Sequence, residues 1–184
     1  MCLNKMDANI EEFYMSVLAI HRKPTRLEAL DKARMYVEKL ESTWIPYIKE
    51  RAMVLYTDSR YPIRQLRGED LDRDIEIVRK YSNYILKDLI ACDGYRSNNM
   101  NSLGSRIRLE IRIVNNCEFL TSHYNAMGVK YKHNIHKLTP WVMLVAGIRD
   151  STITMKNKDL HHREDLAKSR KKENPNYKIR EISH

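Results

Sequence analysis

Residues 106–113 read R-I-R-L-E-I-R-I, and the fold class turns on how they are folded. Strict alternation places Ile107, Leu109, Ile111 and Ile113 on one face of a strand, with Arg106, Arg108 and Arg112 opposite. A strand needs a partner, however, and no second alternating run of similar quality occurs in the chain. The same residues also fit a helix from Ser105 to Met127, ended by Gly128, with Leu109, Ile113, Cys117, Leu120 and Tyr124 as its inner stripe. We read a helix here, with a minor β element at 106–113 as the alternative.

The flanking sequence also reads as helix. Leu71, Ile75, Val78, Ile85 and Leu89 form an apolar stripe that ends at Asp93-Gly94. Glu69, Asp70, Asp72 and Asp74 crowd its start, where the helix dipole favours negative charge. Upstream, Thr25 and Glu28 have the T-x-x-E spacing of a reciprocal cap, followed by a stripe of Leu27, Leu30, Val37, Leu40 and Trp44. Pro46 lacks an amide donor and predicts a break or kink, or else a new helix capped by Thr43. Ile10, Phe13, Val17 and Ile20 predict a further helix after Asp7, closed by Pro24. Arg60, Pro62, Arg64 and Arg67 lie in a stretch without periodicity that reads as a basic loop, and residues 95–105 read as a mobile polar loop.

Thr139-Pro140 is a helix opening, with Thr as cap and Pro at the first helical position; the apolar run 141–148 then belongs in the core. Beyond Asp150 the apolar content falls, which predicts a poorly anchored helix and then a disordered end. The expected fold is therefore mainly α: a single helical domain of about five or six helices over residues 7–150, with a basic, partly disordered C-terminal tail at 151–184.

Composition agrees with that class. Of 184 residues, 42% are hydrophobic and 31% charged, a globular balance, and only five Gly and five Pro are too few turn residues for an all-β protein. No apolar run approaches bilayer-spanning length, and the acidic N-terminus, with Asp7, Glu11 and Glu12, does not read as a secretory signal. Three widely spaced cysteines, Cys2, Cys92 and Cys117, do not make a disulfide framework and fit a cytoplasmic protein, with Cys92 and Cys117 read as buried structural thiols. The net charge is +9, but residues 1–100 hold 17 Lys/Arg against 16 Asp/Glu, whereas residues 101–184 hold 16 against 8. An acidic partner such as nucleic acid fits that asymmetry.

Among chemical signatures, the phosphate-cradling glycine motifs and the G-x-S-x-G elbow are absent from the sequence. His123, His133, His136 and Cys117 are ligand types that zinc prefers, but their spacing matches no common zinc module, and the adjacent pair His161-His162 diverges on a helix. Glu38-x-x-Glu41 and Glu69-x-x-Asp72 place acidic pairs one helical turn apart. That pattern resembles the E-x-x-E and E-x-x-D motifs of all-α nucleotide pyrophosphohydrolases of the MazG and dimeric dUTPase kind. The resemblance implies four carboxylates converging on magnesium; helix-terminal stabilisation accounts for Glu69 and Asp72 as well.

The principal expectation is a non-enzymatic protein that binds DNA or RNA backbone, or a nucleoprotein complex, with no cofactor, no metal and no membrane. Its contacts would be Arg106, Arg108, Arg112, Lys130 and Lys132, the stacking residue Tyr131, and the cluster Lys168, Arg170, Lys171 and Lys172. A protein-binding adaptor or inhibitor is the first alternative, because eleven Tyr, nine Met and two Trp are residue types enriched at interfaces. The magnesium-dependent nucleotide hydrolase is the second. The richness in Asn, Lys, Ile and Tyr has the flavour of a compact viral or mobile-element genome.

Overall fold

The stretch 106–113 is helical and lies inside α4, which runs Met100–Tyr131. The computed structural model describes residues 25–57, 68–95 and 99–182. The helix expected after Asp7 and residues 58–67 of the basic loop expected from Thr57 to Gly68 lie outside the described residues, whereas Thr57 and Gly68 themselves are helical; the described residues contain no strand. α4 is longer than its stripe predicted at both ends, starting inside the expected loop and passing through Gly128. Leu103, Ile107, Ile113, Cys117, Leu120 and Met127 are buried along it. A helix buried on so broad an arc needs neighbours on two sides, and α3 (Gly68–Asp93) and α5 (Thr139–Glu173) supply them.

α3 forms as its stripe predicts: Leu71, Ile75, Val78, Ile85 and Leu89 are all buried. A turn closes it, with Gly94 N donating to Ala91 O at 3.2 Å. α1, Arg26–Lys39, starts at the predicted reciprocal cap: Thr25 N donates to Glu28 Oε2 and Glu28 N to Thr25 Oγ1, both at 3.3 Å. Its buried face is Ala29, Leu30, Ala33 and Val37; Leu27, expected in the stripe, is 63% exposed. The sequence reading overlooked the two alanines, which let α1 lie close against α3 and α5.

Pro46 does not break the chain's helical path. A π-helical turn, Leu40–Trp44, widens the backbone just before it, and α2, Ile45–Thr57, continues. A proline ring needs that room, because it crowds the preceding turn and offers no N–H.

After α4 a 3₁₀ segment, Lys132–Leu138, turns the chain into α5. Thr139 is the first residue of α5 and does not cap it; its hydroxyl is hydrogen-bonded to Tyr124 Oη at 2.6 Å. Trp141 is fully buried and its indole N–H donates to Ser82 Oγ at 2.8 Å, tying α5 to α3. The boundary expected at Asp150 falls inside α5, which continues unbroken to Glu173, with Thr152, Asp159 and Ala167 buried beyond it. Residues 174–182 leave the helix through a turn at Asn174, whose side chain accepts from Asn176 N at 3.1 Å. They then fold back, so that Arg163 donates to Arg180 O and Arg170 lies over the Tyr177 ring. Among the described residues, no helix is long and apolar enough to cross a membrane.

Candidate functional site

Helical geometry sorts the predicted basic residues into separate groups. At 100° per residue, Arg108, Arg112, Phe119, His123 and Lys130 fall within about 60° of one another on α4, whereas Arg106 lies about 200° from Arg108. Arg106 accordingly points inward. It is 8% exposed and grips Asp159 with two hydrogen bonds, Nε to Oδ2 at 2.6 Å and Nη2 to Oδ1. Arg106 is thus a buried structural cation and is withdrawn from the expected nucleic-acid ridge.

Tyr131 is also withdrawn. It is buried, and its hydroxyl donates to Asp74 Oδ2 at 2.6 Å, so no base can stack on it. Lys130 is exposed beside it and donates to the same carboxylate oxygen at 3.2 Å, while His123 Nε2 lies 3.5 Å from Asp74 Oδ1. The backbone of Lys132 opens the 3₁₀ segment; its side chain lies outside those described.

Arg108 and Arg112 remain on the surface, and Arg112 donates to Asp88 Oδ1 at 2.9 Å. Burial pushes the Asp88 carboxyl above its ordinary value, against the pull of Arg112 and Lys87. Lys168, Arg170, Lys171 and Lys172 are all exposed on the last turns of α5. α4 and α5 run antiparallel, in a register set by Arg106 with Asp159 and Tyr124 with Thr139. The basic end of α5 therefore sits at the same end of the molecule as Arg108.

The surface between α3 and α4 also carries residues that the sequence reading did not select. Phe119 is 44% exposed and stacks on Tyr81, with ring centroids 4.1 Å apart and planes at 21°. His123 lies parallel to Phe119 at 6.2 Å, and Tyr84, 41% exposed, meets Tyr81 edge-on at 5.7 Å. Lys80 reaches over the Tyr84 ring. The result is a row of four rings flanked by Lys80, Arg108, Arg112 and Lys130. Its signal in the sequence is the i, i+3 pair Tyr81 and Tyr84 on one helix and the i, i+4 pair Phe119 and His123 on the next.

Among the described side chains, Glu38, Glu41 and Asp72 do not converge. Glu41 is exposed and pairs with Arg79 at 2.7 Å, Asp72 with Lys49 at 3.3 Å, and Glu38 is exposed on α1. The side chain of Glu69 is not among those described. No three His, Cys, Asp or Glu side chains come together as metal ligands among the described residues. Cys117 is in the core, away from His136, which meets Tyr47 edge-on. Burial raises both described thiols, Cys92 to about 11 and Cys117 further.

A second polar constellation is internal. Glu110 is 1% exposed, yet neither of its oxygens receives a hydrogen bond from a donor; Arg26 Nη2 lies 3.6 Å and Arg106 Nε 3.9 Å from Oε1. Burial, together with a hydrogen bond to the neighbouring Asp159 carboxylate, pushes the Glu110 carboxyl up to about 8. The raised value favours the protonated form of Glu110 at neutral pH, beside an Asp159 carboxylate that accepts from Arg106. One wall of a cavity of about 170 Å³ is formed by Glu110.

Comparison with protein families, with curated proteins and with solved structures finds no match for this chain.

Proposed function

We propose that the protein binds single-stranded nucleic acid along the α3–α4 face, without catalysing a reaction. Bases stack on Phe119 and Tyr84, while Lys80, Arg108 and Arg112 meet phosphates and Lys168, Lys171 and Lys172 extend the contact at the end of α5. The observation that carries this reading is the exposed Phe119 ring, stacked on the part-buried Tyr81, on the helix face that also presents Arg108 and Arg112. Exposed rings favour an unpaired base over a duplex, because every base has a π-face but only an unpaired one offers it.

The test is fluorescence anisotropy with labelled single strands and duplexes of DNA and RNA over a range of salt. About six phosphate contacts give a slope of log K against log salt near −4 for a single strand. Phe119→Ala should weaken binding by about 5- to 150-fold, the loss of one stacked base, without altering that slope. Arg108→Ala should flatten the slope by about 0.7. No binding at low salt, or binding indifferent to Phe119, would sink the proposal. A protein partner would use the same exposed rings; a complex that survives high salt and ignores Arg108 would favour that alternative.

A further inference from the structure

We infer that the cavity where α1, α3, α4 and α5 meet is a binding site for a small, neutral, planar heterocycle with a lactam edge, its N–H donating to Glu110 and its carbonyl accepting from Arg26. This site is independent of the nucleic-acid face and lies on the other side of α4.

The argument starts from unmet hydrogen bonds. A carboxyl that is 1% exposed with no donor on either oxygen costs free energy unless something supplies one. A proton shared with Asp159 satisfies part of that demand and leaves Glu110 an acceptor on the cavity wall. Arg26 stands beside it, one quarter exposed at the mouth, and donates to the Cys92 sulfur, a weak acceptor. Arg26 Nη2 and Glu110 Oε1 are 3.6 Å apart, too far to bond to each other. A donor and an acceptor side by side at that spacing complement a group that presents an N–H next to a C=O.

Charge selects against other classes. Arg106 and Asp159 pair with each other, which leaves Arg26 as the cation at the mouth, so an ammonium would meet like charge; a carboxylate could accept from Arg26 but offers no N–H to Glu110. A neutral edge that carries both an N–H and a C=O meets both groups. Two of the wall's hydroxyls are already engaged as donors, Ser151 Oγ to Ile148 O and Thr154 Oγ1 to Asp150 O, each at 3.2 Å, and Thr25 Oγ1 accepts from Glu28 N. Beside Thr152 and Cys92, the rest of the lining is apolar, with Ala29, Leu89, Ile113 and Met155. An apolar cavity of about 150 Å³ holds a benzene ring, so 170 Å³ takes one six-membered ring with its substituent oxygen.

The probe is 2-pyridone, titrated into the full chain while the Ile113 and Met155 methyl signals are followed by NMR. N-methyl-2-pyridone, which keeps the ring and carbonyl but lacks the N–H, is the control. The expected result is a shift of both methyls by 2-pyridone, with a dissociation constant on the order of 1 mM or tighter. The control should bind at least about tenfold more weakly, because it leaves Glu110 unsatisfied. Arg26→Met should weaken 2-pyridone by a similar factor, and Ala29→Leu, which fills the cavity, should abolish the shifts. Equal binding of the two ligands would reduce the cavity to an apolar hole, and no shift of either methyl would leave it occupied by water alone; either result overturns the assignment.

Discussion

Replacing Asp159 by Asn leaves the Arg106 guanidinium buried against a neutral partner, and the structure sets the size of the penalty. The counter-charge and one of the two acceptors are lost, the remaining amide oxygen accepting at most one of the two hydrogen bonds, and breaking a buried pair from one side costs about 3–5 kcal/mol. Part of that is recovered locally. Glu110 Oε1 is 3.9 Å from Arg106 Nε, and Asp159 is one of the groups that hold its carboxyl high. With Asp159 neutral, Glu110 ionises more readily and takes over as counter-ion, which places the expected loss at the lower end, about 3 kcal/mol at pH 7. For a domain of this size that is a fall in Tm of about 6–12 °C. Urea unfolding followed by helical circular dichroism measures it, with an unchanged m-value showing that the folded state is intact. The double variant Arg106→Met with Asp159→Leu removes the charges together and should recover most of the loss. A cost below about 1 kcal/mol for Asp159→Asn would refute the reasoning, since it would mean that Arg106 is effectively solvated and free to meet phosphates.

Two further outcomes concern the same core. Glu110 holds its proton up to about pH 8 when folded but loses it near 4.5 when unfolded, so between those values the native state binds the extra proton. Stability therefore falls as pH rises through that window, by at most about 1.4 kcal/mol per pH unit, with Asp88 acting in the same direction from its own raised value. Glu110→Gln should flatten the profile and be more stable than the parent at pH 8; an unchanged profile by urea titration would count against the buried acid. Ser82→Ala removes the acceptor of the fully buried Trp141 indole N–H and should lower stability by about 1–3 kcal/mol in the same assay.

Local patterns were legible where the chain signals locally. The Thr25–Glu28 cap and the α3 stripe needed only spacings of three and four residues, and both appear as read. The helix over 106–113 was legible because no partner strand was available. What escaped was polar pairing across the sequence. Arg106 and Asp159 are 53 residues apart, and the partner lies in a segment whose low apolar content suggested a tail. Arg106, Glu110, Ile113 and Cys117 nevertheless share one stripe, at i, i+4, i+7 and i+11, so the inward course of Arg106 was available from the helix wheel once strand alternation was set aside. Alternation had grouped it with Arg108 and Arg112, which is correct for a strand and wrong for a helix. Tyr131 misled for a related reason: its ring reads as a stacking platform until the hydroxyl finds Asp74, 57 residues away.

Those two errors have a common physical source, and it bears on how the molecule divides its tasks. A helix packed on two sides must spend polar residues on its buried arc wherever the opposing helix carries charge, and α4 does so with Arg106 and Glu110 against Asp159. The same helix keeps a narrow arc, through Arg108, Arg112, Phe119 and His123, that borders α3 and carries its more exposed side chains. The buried polar arc and the face proposed to bind nucleic acid therefore sit on opposite sides of one helix, two residues apart in sequence at Arg106 and Arg108. Substitutions on the first arc should change unfolding free energy and leave nucleic-acid affinity of the folded protein alone, and Arg108→Ala and Phe119→Ala should do the reverse. Arg112 is the one residue expected to move both, because removing it takes a phosphate contact from the surface and the hydrogen-bonding cation from the buried Asp88.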